Sequence, residues 1–401
     1  MVPALACFLS IYATTGACSA HGAEPWIVTK AWQEVAQKNS EAKLDPKHQA
    51  DLDNDTKVGK KYTEEVEKEF KLSKNEEYQA RVQRISADLA EVARTNQVAV
   101  TWGDKRLNPF QYTFKVVEDK DVNAFSLPGG FIYVYEGLLQ FAESDDELAG
   151  VIAHEIAHAS FRHVATLQRE AARLQLVTLP LILISVFAGG ELGQGLATGA
   201  SLYGTAKGSG WSVSAEEAAD YGGLQYMLKS KYNPVGMLTF IERLAKEQRH
   251  TDRIDLGIYR THPPSRDRAE TLAEKLAERG IPIRRSQVSS AYRVSLKDGK
   301  DGAIEAWFDR RKIMTFAGPD AKGRSLEVAE RLNSFYDQVP ELFDVTSKDD
   351  TVVGQRQSLF RVTKEDAAAA KTTPEELAKQ SATAIQRSLF LLAYRVWDTR
   401  G

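Results

Sequence analysis

Cysteine is almost absent from this chain. Cys7 and Cys18 are the only two in 401 residues, both within the first eighteen positions. The chain beyond them can form no internal disulfide and no cysteine-ligated zinc site, so a metal site there must use His, Asp or Glu. An excess of charge of one sign is also missing. The 52 Lys and Arg against 55 Asp and Glu leave a net charge of -3, with no basic footprint for nucleic acid. There is no internal repeat, and no tetratricopeptide pattern in particular. Long apolar runs are scarce. The stretch from Leu174 to Gly190 carries no charge, but it is at the short end for a membrane span and contains Gln175 and Pro180. A buried helical hairpin is the expectation there, with a contact on one face of a bilayer as the alternative.

What remains is ordinary globular composition, 43% hydrophobic and 27% charged, which with this length provides for an ample core and two domains. The start is apolar from Met1 to Ile11, followed by small residues up to Ala20. This pattern predicts an export signal over residues 1–22. Gly16-Ala17-Cys18 is similar to the end of a bacterial lipoprotein processing box, which would make Cys18 a lipid-bearing first residue. Thr15 stands where that box usually has Leu, and no Lys or Arg precedes the apolar run.

Helical spacing of Tyr62, Val66 and Phe70, then of Val82, Ile85, Leu89 and Val92, predicts two helices before Asn96. Val98–Trp102, Tyr112–Val117 and Gly129–Tyr135 read as strands. Ser144-Asp145-Asp146-Glu147 is a helix start, and helices dominate from there to about Arg279. The tail changes character, with strands at Ala303–Phe308, Lys312–Phe316, Thr351–Val353 and Leu359–Val362. A helix over Ser325–Tyr336 and another capped at Thr373 accompany them. The expected class is α+β. A mainly helical domain with a small sheet spans residues 23–285, and a small α+β domain of unknown role spans 286–401.

Three of the seven histidines, His154, His158 and His163, fall within ten residues. His154-Glu155-Ile156-Ala157-His158 reads H-E-x-x-H in an apolar helical run. The two histidines lie one turn apart on one face, where both imidazoles can reach one ion, and Glu155 can address a water on it. A catalytic zinc needs three protein ligands and an open position. Glu216 is the leading third ligand. Asp220, one turn on, is placed to hydrogen-bond a ligand imidazole. His163 competes for the third position, but it lies off the face shared by His154 and His158.

These residues sit among further motifs in close order. Asn123-Ala124-Phe125-Ser126-Leu127-Pro128-Gly129-Gly130, Gly137-Leu138-Leu139, Asp146-Glu147-Leu148-Ala149 and Arg162-His163 surround the histidine pair. Glu216-x-x-Ala219-Asp220, Asn233-Pro234-x-Gly236-Met237 and Thr261-His262-Pro263-Pro264-x-x-x-Arg268 follow. The set resembles the CAAX-prenyl-endopeptidase type of zinc metallopeptidase (peptidase family M48, HExxH and gluzincin type), in its soluble bacterial envelope branch. The resemblance covers about Asp55 to Glu278. One departure is Ser212-Val213, where that family usually has Ser-Arg.

The resemblance implies one zinc ion per chain held by His154, His158 and Glu216, with Glu155 as catalytic base and Asp220 behind the ligands. His262 and Arg268 are candidates for a gate or an oxyanion donor. Asn123, Phe125, Pro128, Gly129 and Gly130 mark an edge strand that can pair with an extended peptide. The expected activity is endoproteolysis of unfolded or misfolded envelope polypeptides, in the periplasm or at the outer membrane as a lipoprotein. Membrane association would come through a lipid anchor or the 174–190 segment. The alternative is a chaperone or assembly factor with latent, gated proteolysis.

Overall fold

The computed structural model describes residues 44–173, 211–250, 262 and 265–394. The expected export segment with Cys18 and the apolar stretch 174–190 lie outside them. Among the described residues, no helix is long and apolar enough to cross a membrane.

Helix α1 (Pro46–Glu69) starts where Asp45 accepts the Lys47 amide at 3.0 Å, with Pro46 in the first turn. Helix α2 (Glu76–Thr95) is capped by Asn75 and buries the stripe Val82, Ile85, Leu89 and Ala93. A three-stranded sheet follows: β1 (Thr113–Val117), β2 (Ala124–Leu127) and β3 (Phe131–Tyr135). Its order is β1-β3-β2, with β1 parallel and β2 antiparallel to β3. Gly129 and Gly130, at φ 82° and 88°, make the turn between β2 and β3. Helix α1 presses on that turn so closely that a Cβ on Gly59 would stand 1.9 Å from the Pro128 carbonyl oxygen.

Helix α3 (Glu136–Phe141) leads into α4 (Asp145–Ser160), which carries the histidine pair and is buried from Glu147 to Ser160. Short α5 (His163–Arg173) follows, and α6 (Trp211–Met227) and α7 (Val235–His250) pack on α4. A Cβ on Gly222 would lie 2.3 Å from the Phe161 ring, so glycine permits the close approach of α6 to the end of α4. Helix α8 (Arg266–Glu278) packs on α6 and α7.

Beyond the short α9 (Arg285–Val288) a second hydrophobic core begins at Tyr292. Strands β4 (Val294–Asp298), β5 (Ile304–Phe308) and β6 (Arg311–Phe316) form one antiparallel sheet, and α10 (Ala321–Asp337) covers it. Strands β7 (Val345–Lys348), β8 (Thr351–Gly354) and β9 (Gln357–Arg361) form another. Short α11 (Lys364–Ala369) precedes α12 (Pro374–Leu389), which packs on β6, β7 and β8. The two cores meet at α7. Arg285 clasps Glu242 at 2.7–3.1 Å, and the Tyr292 hydroxyl donates to the same carboxylate at 2.6 Å.

The α+β class and the tail's alternation of strands and helices match the expectation. The strand expected at Val98–Trp102 does not form. Val98 and Val100 are buried, but among the described residues no strand pairs with the segment, and it turns instead into Gly103 at φ 100°. Strands β2, β4 and β7 were not anticipated from alternation. They are four or five residues long and defined by their neighbours.

Candidate metal centre

Helix α4 forms because Ser144 accepts the Glu147 amide at 3.1 Å and three acids occupy the first turn. Glu147 is wholly buried. Its carboxylate caps the Glu143 amide at 2.9 Å and is paired by Arg243. From this fixed start His154 and His158 face α6 with their Nε2 atoms 3.0 Å apart.

Glu216 on α6 meets both. Its Oε2 lies 3.4 Å from His154 Nε2 and its Oε1 3.3 Å from His158 Nε2. His262 joins them, with Nδ1 at 2.9 Å from both Glu216 oxygens and 3.2 Å from His154 Nε2. One donor atom from each of these four buried residues lies within 4.8 Å of every other. His262 also reaches Glu155, with Nε2 3.3 Å from Oε1. Asp220 faces His154 Nδ1 at 3.0 Å, and Arg268 donates to both Asp220 oxygens at 2.7 and 2.8 Å. His163 stands on the far side of His158, its Nδ1 2.8 Å from His158 Nδ1.

The electrostatics follow from burial and pairing. Burial opposes charge on His154, but hydrogen bonds it donates to Asp220 and Glu216 outweigh that and lift the pKa to about 10. Burial pushes His158 below the ordinary histidine value, and His163 well below it. Burial works against ionised Glu216 too. The charge on His262 and hydrogen bonds from the three histidines nonetheless hold it well below the usual carboxylate range. Asp220 resists burial through Arg268 and drops to about 2.

This donor set fits a divalent cation. Two donors about 2.0–2.1 Å from one tetrahedral ion lie about 3.3 Å apart. The His154, His158 and Glu216 atoms stand 3.0–3.4 Å apart, close to that spacing.

Beside the centre lies a narrow pocket that is partly open to solvent. Its apolar wall is Met237, Phe240, Ile241 and Leu244 of α7, facing Glu155 and His262. The Asn123–Gly130 segment is buried. Strand β2 is the outer strand of its sheet and packs on α4, and the Phe125 side chain stacks on Tyr133 with ring centroids 5.1 Å apart. Pro128 and His158 line a second narrow pocket.

The expected residues His154, Glu155, His158, Glu216, Asp220, His262 and Arg268 thus come together. Sequence reasoning missed the support behind them. Arg162, at φ 53°, is buried between Asp55 and Asp104, with Nε 2.6 Å from Asp55 Oδ2 and Nη1 3.0 Å from Asp104 Oδ2. Only the adjacency of Arg162 and His163 hinted at it.

Comparison with known proteins adds an independent line. Peptidase family M48 matches residues 76–276. A domain of unknown function, DUF8459, matches residues 303–390. The beta-barrel assembly-enhancing protease of Escherichia coli is 32% identical over 157 residues, 38% of this chain and 32% of that protein. The mitochondrial metalloendopeptidase OMA1 of Schizosaccharomyces pombe is 30% identical over 172 residues, 43% of this chain and 49% of that protein. The metalloprotease LoiP of Escherichia coli is 30% identical over 178 residues, 44% of this chain and 67% of that protein. The chain spans about a third of the length of the beta-barrel assembly-enhancing proteases it matches.

Proposed function

The chain belongs to peptidase family M48, and from that premise we propose that it is a zinc-dependent endopeptidase of unfolded or misfolded envelope polypeptides. The observation that carries the reading is the convergence of His154 Nε2, His158 Nε2 and both Glu216 oxygens within 3.0–3.4 Å, with Glu155 one residue from His154. His154, His158 and Glu216 would hold the metal.

A bound zinc supplies Lewis acidity, which acidifies water and polarises a carbonyl. The chain's own residues do the rest. Glu155 takes a proton from the attacking water and passes it to the leaving amine, so the peptide C–N bond breaks as a C–O bond forms. Asp220, fixed by Arg268, orients His154. The outer edge of β2, from Asn123 through Phe125 to the Pro128-Gly129-Gly130 turn, would align an extended substrate by main-chain pairing. The wall of Met237, Phe240, Ile241 and Leu244 would receive an apolar side chain.

A second reading is favoured by His262, which touches both Glu155 and Glu216. Placed there it acts as a gate, and the protein would work as a chaperone or assembly factor with latent proteolysis. The residue's other role is oxyanion donor. The name of the beta-barrel assembly-enhancing protease of Escherichia coli supports an envelope setting. Residues 1–22 would then direct export and Cys18 would carry lipid, with the 174–190 segment as a second membrane contact. Residues 23–285 would form the peptidase unit and 286–401 an interaction or substrate-positioning domain.

The test is cleavage of casein by zinc-loaded protein beside Glu155→Gln at equal zinc content. Cleavage lost only in the variant supports the peptidase. Zinc bound but no cleavage by either form rejects it in favour of the gated reading. His262→Ala then separates the two roles of that residue, with faster cleavage expected for a gate and slower for a donor.

A further inference from the structure

We propose that helix α1 is a strut that sets the gap between the edge strand β2 and the histidine-bearing helix α4, with Asp55 and Gly59 as positioning residues for an extended substrate. The inference rests on the endopeptidase reading above. Helix α1 lies ahead of the stretch that matches the peptidase family, which begins at residue 76. Its buried residues are His48, Leu52, Asp55, Gly59, Tyr62 and Val66, alternately four and three apart along one face. A helix packed on a core ordinarily buries an apolar stripe there. This stripe includes a histidine, an aspartate and a glycine, and each has a specific partner.

The first half of the stripe grips the end of α4. Asp55 accepts two hydrogen bonds from Arg162, Nε at 2.6 Å and Nη2 at 3.0 Å, and Nη2 also reaches the Asp51 carbonyl oxygen at 3.3 Å. Arg162 is the second residue past α4 and adopts φ 53°, a left-handed conformation uncommon for arginine. His48 Nε2 donates to Asn108 Oδ1 at 2.7 Å. Asn108 Nδ2 donates at 2.7 Å to the carbonyl of Ser160, the last residue of α4. His48, Asp55, Asn108 and Arg162 are all buried, so water does not compete for these bonds.

One turn further along, α1 meets the turn that ends β2. A Cβ on Gly59 would run into the Pro128 carbonyl oxygen, and one on Gly129 would lie 2.6 Å from Thr56 Cα. The two backbones approach with no side chain between them. Phe125 and Leu127 of β2 then share a core with Tyr62 and Val66. Asp55 and Gly59 are one helical turn apart, so a single rigid element fixes the end of α4 relative to the end of β2. Between those ends lies the pocket lined by Ser126, Leu127 and Pro128, by His158 and Arg162, and by Asp55 itself. A peptide paired along β2 must present its carbonyl to the centre on α4 across this gap. A misplacement of about 1 Å can cost roughly a hundredfold in rate.

The test uses the full chain, zinc-loaded, at a temperature where every variant is folded. Initial rates against casein concentration give kcat and KM, chelator competition gives zinc affinity, and urea midpoints give stability. Gly59→Ala, which must displace the β2 turn, should lower kcat roughly ten- to a hundredfold. Asp55→Asn, which releases Arg162, should do the same. Zinc affinity and KM should stay within a fewfold of wild type in both. Ile85→Val, a core change on α2, should lose stability and keep kcat. Wild-type kcat in the two α1 variants overturns the proposal. So does a fall in rate that only tracks lost zinc or lost folded protein. If Gly59→Ala does not fold, Asp55→Asn decides alone. A wild type that holds zinc and cleaves nothing overturns the endopeptidase reading and this inference with it, whereas an active wild type with unaffected α1 variants overturns this inference alone.

Discussion

Arg268 grips Asp220 with two parallel hydrogen bonds, Nε to Oδ2 at 2.7 Å and Nη2 to Oδ1 at 2.8 Å. Asp220 in turn faces His154 Nδ1 at 3.0 Å. The guanidinium acts on the metal centre through this carboxylate and imidazole, and its Nη1 also lies 3.4 Å from Glu216 Oε2. Replacing it with methionine frees Asp220 to rotate and lets His154 lose its orientation. Zinc affinity should fall roughly tenfold or more, as expected when a group behind a metal ligand is lost. Lysine keeps the charge without the fork, so Arg268→Lys should fall between wild type and Arg268→Met. Competition with a chelator measures this, and equal affinities in all three would remove Arg268 from the site.

Glu216 sits where a third ligand should, with one oxygen toward each α4 histidine at 3.4 and 3.3 Å. Glu216→Gln keeps the shape and removes the charge. Zinc should bind at least about a hundredfold more weakly, since the site loses its one anionic ligand. If affinity holds, the third ligand is His262, whose Nδ1 already lies 3.2 Å from His154 Nε2. His163 is not the fallback, because the nitrogen it presents meets Nδ1 of His158 on the side away from Glu216.

The elements that could be read from sequence were those with a local cause. His154 and His158 share a helix face because of spacing alone, and Ser144 caps α4 through its own side chain. The convergence of Glu216, Asp220, His262 and Arg268 was legible only through motif order. Glu216 and Asp220 are one turn apart on α6, but no periodicity links that helix to His262 or to Arg268 on α8. His163 was read as off the face of His154 and His158, but its place against His158 Nδ1 was not legible, because it depends on Arg162 at φ 53° and on Asp55 and Asp104 far away in sequence. Val98–Trp102 misled for the opposite reason. Its alternation is genuine and its valines are buried, but a strand needs a partner, and among the described residues none reaches it.

A buried ion pair helps to join the second core to the first. Arg285 forks onto Glu242 of α7, Tyr292 donates to the same carboxylate, and the guanidinium lies 4.8 Å from the centre of the Tyr394 ring. Helix α7 also supplies Met237, Phe240, Ile241 and Leu244 to the cavity wall. Arg285→Met leaves a buried carboxylate without its cation, a loss of about 3–5 kcal/mol. The urea midpoint should drop accordingly. Removing both charges in Arg285→Met with Glu242→Gln should recover much of the loss. A single variant as stable as wild type would mean that the pair contributes nothing to the junction.

Acid stability should depend on Asp104. Burial works to raise its pKa, but hydrogen bonds from Arg106 and Arg162 hold it well below the usual carboxylate range. An unfolded aspartate titrates near about 3.9. The folded value lies below the unfolded one, so the unfolded chain takes up the proton first as pH falls. The stability Asp104 contributes is complete above that unfolded value and is lost progressively as pH drops toward the folded one. Asp104→Asn should lower the thermal midpoint at neutral pH, since Arg106 and Arg162 lose a shared anion. The gap to wild type should narrow steadily from about pH 5 to pH 3. Midpoints from circular dichroism at each pH check this. A gap that stays constant across the range would place the contribution of Asp104 in packing rather than in its charge.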